Sequence, residues 1–153
     1  MTRIIFAYVR TIFASVLIFA FLLIEAQADA RVNVTVTGTS GPHIFQVEVM
    51  QSAEDRARGL MFRRELDGNA GMLFDFRTDG IVRMWMKNTY IPLDMLFIRS
   101  DGIIANVASD TVPHSTAVIA SDGPVRYVLE INAGLARQLG IKRGSRVSLP
   151  KAP

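Results

Sequence analysis

The sequence of 153 residues has no cysteine and only two histidines, and both features limit the chemistry available to the chain. Without cysteine there is no disulfide, no thiolate nucleophile and no attachment site for a lipid. His43 and His114 lie in separate predicted loops, whereas a zinc site needs three or four nitrogen, sulfur or oxygen ligands. We therefore predict no zinc centre and no other cofactor.

Signals of hydrolases and of nucleic-acid-binding proteins are also missing. The chain has no Gly-x-Ser-x-Gly motif, and Ser109 and Ser115 are near His114 only as neighbours in one loop. The formal net charge is +3, and the 17 basic residues are scattered among 14 acidic ones. Because nucleic-acid binding needs basic residues clustered on one face, no nucleic-acid partner is expected.

Charge is absent from an apolar run near the N-terminus, residues 11–24. Arg3 and Arg10 precede this run, and an Ala-x-Ala pattern ending at Ala28 follows it, which is typical of a secretory signal peptide. We expect residues 1–28 to direct export to the periplasm, the wider cell envelope or the medium. Cleavage would follow Ala28 or occur two residues later.

An uncleaved membrane anchor is the alternative for the same segment. It would span residues 4–24, but Arg10 interrupts that span and leaves an uninterrupted part that is short for a helix crossing a bilayer. In either case, we expect membrane contact only through the N-terminal segment.

The remaining residues suffice for one domain and alternate between short apolar strands and turns rich in glycine or proline. Residues 29–43 are predicted to form an N-terminal strand and turn, and residues 44–150 a single domain. The predicted strands cover residues 31–37, 44–50, 72–76, 83–87, 93–98, 103–108, 117–120, 126–131 and 146–149. This pattern predicts a mainly β fold, a sandwich or barrel-like sheet.

Two short helices are predicted from their capping residues. Ser52 is expected to cap a helix that ends at Gly59, with Asp55 at the capping-box position. Asn132 is expected to cap a second helix that runs through Leu139. Neither helix is long, so we expect the strands to carry the fold.

The most unusual stretch is Arg83–Arg99, which contains the only tryptophan and a concentration of polar residues between apolar ones. Strand alternation predicts that Arg83, Trp85 and Lys87 share one face. An indole between two cations suits an anionic or sugar-like ligand. Pro92 cannot donate to a strand ladder, so a turn or bulge is expected just before the next strand.

Asp94 lies within that next, otherwise apolar strand, where a carboxylate needs hydrogen bonds. We therefore predict a polar cluster of Asp94 with Lys87, Asn88 and Thr89. The cluster has two interpretations: it binds a small or peptidic ligand, or it only stabilises a turn. The candidate ligand-binding residues are Arg63, Trp85, Lys87, Asn88, Thr89, Asp94 and Glu130.

Three further interpretations remain open. Met84 and Met86 share one strand face and offer two thioethers, which favour Cu(I). Asp94 and Glu130, both on apolar strands, are candidates for a carboxylate pair in an enzyme if they face one cavity. A structural domain, or a surface that binds another envelope protein, would leave all these polar groups satisfied internally.

Several segments resemble the domain of unknown function 192, a bacterial and archaeal family. The matching segments are Arg58–Arg63, Gly71–Phe74, Met84–Thr89, Ile91–Met95, and Val128–Glu130 followed by Ala133–Gly134. The resemblance covers about residues 45–149. It implies a compact jelly-roll-like β-sandwich with a few short helices, often behind a signal peptide, and it implies no activity.

Overall fold

The structure, a computed structural model, describes residues 31–149. The predicted signal peptide, residues 1–28, and the alternative anchor, residues 4–24, lie outside this range. Within residues 31–149 no helix is long and apolar enough to cross a membrane.

Short strands dominate the described residues, with two short helices between them. The strands are β1 (Val32–Gly38), β2 (Gly41–Met50), β3 (Ala70–Gly80), β4 (Arg83–Met84), β5 (Leu93–Ile98), β6 (Ile104–Ala108), β7 (Ile119–Ala120), β8 (Val125–Asn132) and β9 (Arg146–Ser148). The helices are α1 (Ala53–Arg58) and α2 (Leu135–Gln138). The predicted mainly β fold with two short helices is confirmed.

Seven strands form one curled sheet in the order β6-β5-β8-β3-β2-β1-β9, and β4 pairs with β7 in a separate ribbon. All pairs in the large sheet are antiparallel except β2 with β3. The sheet curls far enough for its two edges to meet. The Ile104 N–H donates to the Ser145 carbonyl at 2.9 Å, and the Val147 N–H donates to the Gly102 carbonyl at 2.7 Å.

Both faces of the central strands are buried. Leu96 and Ile98 of β5 pack into a cluster on one face of the sheet, together with Val34 and Val36 of β1. Met95 and Phe97 alternate with them on the opposite face and pack beneath the ribbon and the loops beside it. Burial on both sides explains why residues 93–98 form a nearly continuous apolar run instead of an alternating one.

Two local predictions are confirmed. Helix α1 begins after Ser52, whose hydroxyl accepts the Asp55 N–H at 3.0 Å, and it ends at Gly59. Gly59 has φ +47, and a Cβ there would lie 3.0 Å from the Phe74 ring. Glycine at this position therefore allows the helix to end directly against the sheet.

Two other local predictions are wrong. Asn132 does not cap α2: it ends β8, its side-chain amide donates to the carbonyls of Leu66 and Asp67, and Gly134 occupies the cap position. The strand predicted over residues 83–87 stops at Met84. The Met86 N–H donates to the carbonyl of Ser115, which lies in a loop, and so it does not extend the strand pairing.

Candidate functional site

Glu130 lies on the central strand β8, between β3 and β5. The register places it opposite Met72 on one side and Met95 on the other, so the three side chains share one face of the sheet. Glu130 is only 4% exposed. Within residues 31–149 its carboxyl group has no hydrogen-bond or ion-pair partner. A buried carboxyl without a partner is costly, and such groups are concentrated at functional sites.

A second buried glutamate in the same row has a partner. Glu48 of β2 is paired with Met72 in the register and is also 4% exposed. Arg63 donates to it from both terminal guanidinium nitrogens, with Nη1 2.6 Å from Oε1, and a guanidinium nitrogen of Arg31 lies 3.9 Å from Oε1. The fold thus neutralises one buried carboxylate in this row and leaves the other unpaired.

The unpaired state of Glu130 changes its protonation. Burial raises the pKa of Glu130 from 4.5 to about 8, because the charged form loses its hydration and gains no counter-charge. At neutral pH the side chain is therefore mainly a neutral carboxylic acid. In that form it has one O–H donor as well as acceptor oxygens.

Glu130 lines a cavity of about 300 Å³ between α1, the loop that follows it and the β4 segment. This volume is at the lower end of the range for small-molecule sites. The apolar walls come from Leu60, Met61, Phe74, Phe76 and Met84. Exposed Trp85 and buried Thr89 also line it. The arrangement is that of a concave site with apolar walls.

Three arginines line the same cavity. Arg56 donates to the Asp75 carbonyl at 3.0 Å and lies 5.3 Å from the centre of the Phe76 ring, so it is held in place. Arg58 and Arg83 are exposed, and neither side chain has a hydrogen bond or ion pair within the described residues. Their charges are available to a ligand at the cavity mouth.

Two loops beside the cavity are joined in an unusual backbone conformation. The Phe62 N–H donates to the Asn88 carbonyl at 2.9 Å, and both residues have positive φ, 65° and 56°. Non-glycine residues rarely adopt this conformation and retain it where the surrounding structure imposes it. The bond connects the segment after α1, which contributes Leu60 and Met61 to the lining, to the turn between Trp85 and Thr89, so two segments that line the cavity are linked.

Trp85, Thr89 and Glu130 are the predicted candidates that the fold brings to the cavity. Trp85 is 51% exposed, and Thr89 is buried. The other predicted residues do not line it. Arg63 pairs with Glu48, Lys87 is exposed outside the cavity, and the side-chain amide of Asn88 points to the Met61 sulfur at 4.0 Å.

The predicted placement of Asp94 is wrong in two respects. The register sets Asp94 opposite Ile131, so Asp94 and Glu130 lie on opposite faces of the sheet and cannot share a cavity. Its two oxygens accept the backbone N–H groups of Asp110 and Ala136, each at 2.8 Å, and not groups of the turn at residues 87–89. Asp94 therefore joins a loop and α2 to β5.

The two methionines proposed for Cu(I) are separated in the structure. Met84 lines the cavity, whereas Met86 is fully buried and its sulfur accepts the Thr111 hydroxyl at 3.2 Å. Met61 lines the cavity as well, so two thioethers are present there. The three arginines at the same cavity disfavour a cation electrostatically.

Sequence reasoning missed the cavity itself and the parts that Arg56 and Arg58 play in it. A signal was present for Arg83, which alternation placed on the face of Trp85. The segments that carry the family resemblance supply much of the lining, namely Arg58–Met61, Met84–Trp85, Thr89 and Glu130. Sequence patterns do not show how close these segments lie once the sheet has formed.

Comparisons with known proteins give the chain a family but no activity. The profile of the family DUF192, described as "Uncharacterized ACR", matches residues 33–149. A crystal structure from Sinorhizobium meliloti 1021, described as a "putative transcription regulator", is 48% identical with a TM-score of 0.75 and covers 78% of this chain and 93% of its own. A protein of unknown function from Novosphingobium aromaticivorans DSM 12444 is 42% identical with a TM-score of 0.78, covering 82% and 89%. No curated protein matches the chain.

Proposed function

The chain belongs to the DUF192 family, and because that family is uncharacterised, we propose from the cavity that residues 31–149 form a binding domain for a small or peptidic ligand. The observation that carries the proposal is Glu130, a residue 4% exposed that lines a cavity of about 300 Å³ and whose carboxyl group has no partner among residues 31–149. A polar group is expensive to bury unpaired, so its presence beside an open cavity favours a partner that arrives from outside.

Other contacts at the cavity support a ligand. The exposed face of Trp85 offers a rigid stacking surface, and the apolar walls offer area that a ligand would remove from water. The linked loops at Phe62 and Asn88 support a site that is formed before binding, which lowers the entropic cost of association.

We further propose that the domain acts outside the cytoplasm. Support comes from the signal-peptide pattern in residues 1–28. Expression of the full chain in a Gram-negative host, followed by intact-mass measurement of the periplasmic protein, tests this proposal. A chain beginning at Asp29 or Arg31 would support export with cleavage, and an intact chain retained at the membrane would support the anchor.

A nucleic-acid partner is disfavoured, although one relative is described as a regulator. Many arginines are already paired with carboxylates, including Arg99 with Asp101 and Arg126 with Asp75. Phosphate binding needs such charges free and on one face.

Catalysis by Glu130 is a second candidate, favoured by its raised pKa. A carboxyl group that titrates near neutrality is suited to general acid–base chemistry. Among the described residues that line the cavity there is no histidine and no second carboxylate. Binding therefore has the broader support, and conversion of a bound compound that Glu130→Gln abolishes without preventing binding would favour catalysis.

The single tryptophan makes the test direct. Fluorescence of Trp85 in the purified protein is followed against sugars, small carboxylates, envelope peptides and Cu(I). A saturable response that is weakened by Arg83→Ala supports the cavity as the site. Lys87→Ala is the matched control, since Lys87 is exposed, carries the same charge and does not line the cavity. A silent panel, or a response that depends on Lys87 and not on Arg83, would contradict the proposal.

A further inference from the structure

The charges around the cavity have one sign, and this restricts the ligand that can enter. Arg56, Arg58 and Arg83 all line it, and among residues 31–149 Glu130 is the one acid in the lining. A cationic ligand would approach three guanidinium groups, whereas an anionic one would be attracted by them. Arg58 and Arg83 are also free to form bidentate contacts with a carboxylate or phosphate.

Glu130 would oppose an anion only if it were ionised. Within the described residues it has no ion-pair partner and is 4% exposed, so burial disfavours its charged form. As a neutral acid it offers an O–H donor to an uncharged acceptor, such as a carbonyl oxygen, on the body of the ligand. The cavity therefore presents cations at its mouth, an apolar wall and one buried donor.

We propose that the ligand is a small organic acid with an apolar body and a carbonyl-type acceptor, whose anionic group binds Arg58 and Arg83 while its acceptor takes the O–H hydrogen bond of neutral Glu130. This inference rests on the proposed binding function and specifies its ligand class. Free acylated amino acids and the carboxyl terminus of a peptide share this chemistry.

Binding is then linked to pH through Glu130. When Glu130 ionises, the site loses its donor and gains a charge that repels the anion. Because the pKa of Glu130 is about 8, affinity for the acid falls above that pH and approaches a loss of about tenfold per pH unit. The other charged groups on the surrounding elements are Glu48 of β2, Glu54, Asp55, Arg56 and Arg58 of α1, Asp75, Arg77 and Asp79 of β3, Arg83 of β4, Asp94 of β5 and Arg126 of β8, with Arg63, Lys87 and His114 in the adjoining loops.

Four probes separate the two contacts. N-acetylphenylalanine has the carboxylate and the carbonyl, its amide lacks the charge, 3-phenylpropionate lacks the acyl carbonyl, and phenethylamine carries the opposite charge. Calorimetry and the indole N–H resonance of Trp85 report binding. We expect the dissociation constant of N-acetylphenylalanine to be lower than that of the amide or of 3-phenylpropionate by a factor of about ten or more. Phenethylamine should bind most weakly of the four.

Variants then assign each contact to a residue. In Glu130→Gln the fall in affinity above pH 8 should disappear, because the amide keeps a donor and does not ionise. His114 and Glu48 are present in both proteins, so the difference between the two pH profiles reports Glu130 alone. Arg58→Gln and Arg83→Gln change exposed residues and should narrow the preference for acid over amide, with Lys87→Gln as the matched control. A short peptide ending in phenylalanine, with a free or amidated carboxyl terminus, distinguishes a peptide ligand from a free acid.

The outcomes separate this inference from the binding function. Equal affinity for acid and amide, tighter binding of phenethylamine, or a pH profile unchanged in Glu130→Gln would overturn the ligand class. In those cases, saturable binding of another probe that still depends on Arg83 would leave the binding function standing. The absence of a response to these probes and to the wider panel would remove both.

Discussion

Glu48 and Glu130 are equally buried in one row of the sheet, and their difference lies in their partners. Arg63 and Arg31 neutralise Glu48, and no side chain in the described residues does this for Glu130. Because the two side chains lie on the same face, their position in the sheet does not by itself determine whether the carboxyl group is charged or neutral. The partner decides it, because Coulomb attraction and hydrogen bonds offset the loss of hydration only when a donor is within reach.

The pH dependence of stability provides a prediction at this scale. The pKa of Glu130 is about 8 in the folded state, against an ordinary value of 4.5, so the folded chain holds a proton that the unfolded chain releases between these values. The contribution of Glu130 to the free energy of unfolding therefore falls as pH rises from about 4.5 to about 8, by up to about 1 kcal/mol per pH unit.

Urea denaturation of the wild type and Glu130→Gln at pH 5, 6, 7 and 8 measures this contribution. The glutamine side chain does not ionise. As the pH rises, the unfolding free energy of the wild type should therefore fall relative to that of Glu130→Gln. Parallel pH profiles for the two proteins would show that Glu130 titrates as an ordinary, hydrated glutamate.

The helices show how a similar element is capped locally in one place and at long range in another. Ser52 accepts the Asp55 N–H within the first turn of α1, and such a cap is visible in sequence. The N-terminal part of α2 has no local side-chain cap; Asp94, 42 positions earlier, accepts the Ala136 N–H instead. A cap supplied by another strand depends on how the sheet is assembled.

Asp94→Ala is the prediction for these elements. The substitution leaves the buried N–H group of Ala136 and the part-buried N–H group of Asp110 without an acceptor, and it should lower the free energy of unfolding by about 2–4 kcal/mol in urea denaturation. Asp94→Asn retains one oxygen acceptor and should lose less. Glu65→Ala, at an exposed position, should change stability by no more than about 0.5 kcal/mol. A loss in Asp94→Ala no greater than in this control would refute the assigned role.

At the scale of the whole molecule, closure of the sheet depends on the contact between its edges. Gly102 lies at this junction, where its carbonyl accepts the Val147 N–H. A Cβ on Gly102 would lie 2.5 Å from the Val147 carbonyl oxygen. The two atoms would clash at this distance, and backbone atoms would have to move to relieve the clash. The edges can approach so closely only because this position has no side chain.

Gly102→Ala is expected to destabilise the protein more than a matched change at Gly144. The two glycines have similar φ, +79° and +86°, so both variants carry the cost of a left-handed backbone, about 1–2 kcal/mol. No atom of the described residues lies within 4 Å of a Cβ at Gly144. Only Gly102→Ala adds the clash, so it should lower the unfolding free energy by about 1 kcal/mol or more beyond the loss in Gly144→Ala. Equal losses in thermal or urea denaturation would mean that the junction opens without cost.

The sequence by itself determined the elements that depend on near neighbours. Alternating and continuous apolar runs identified most strands, and Ser52 and Gly59 identified α1. Of the polar cluster predicted near Trp85, only Thr89 lines the cavity. These signals act over a few positions, because side-chain direction and helix capping are local properties of the backbone.

Only the tertiary structure decided which segments meet. The parallel pairing of β2 with β3, the opposite faces of Asp94 and Glu130, and the cavity all depend on strand order and register. Whether a buried carboxyl is a cap, half of an ion pair or a partnerless acid follows from groups distant in the chain. Strand pairing brings those groups within a few ångströms, and no local pattern encodes that distance.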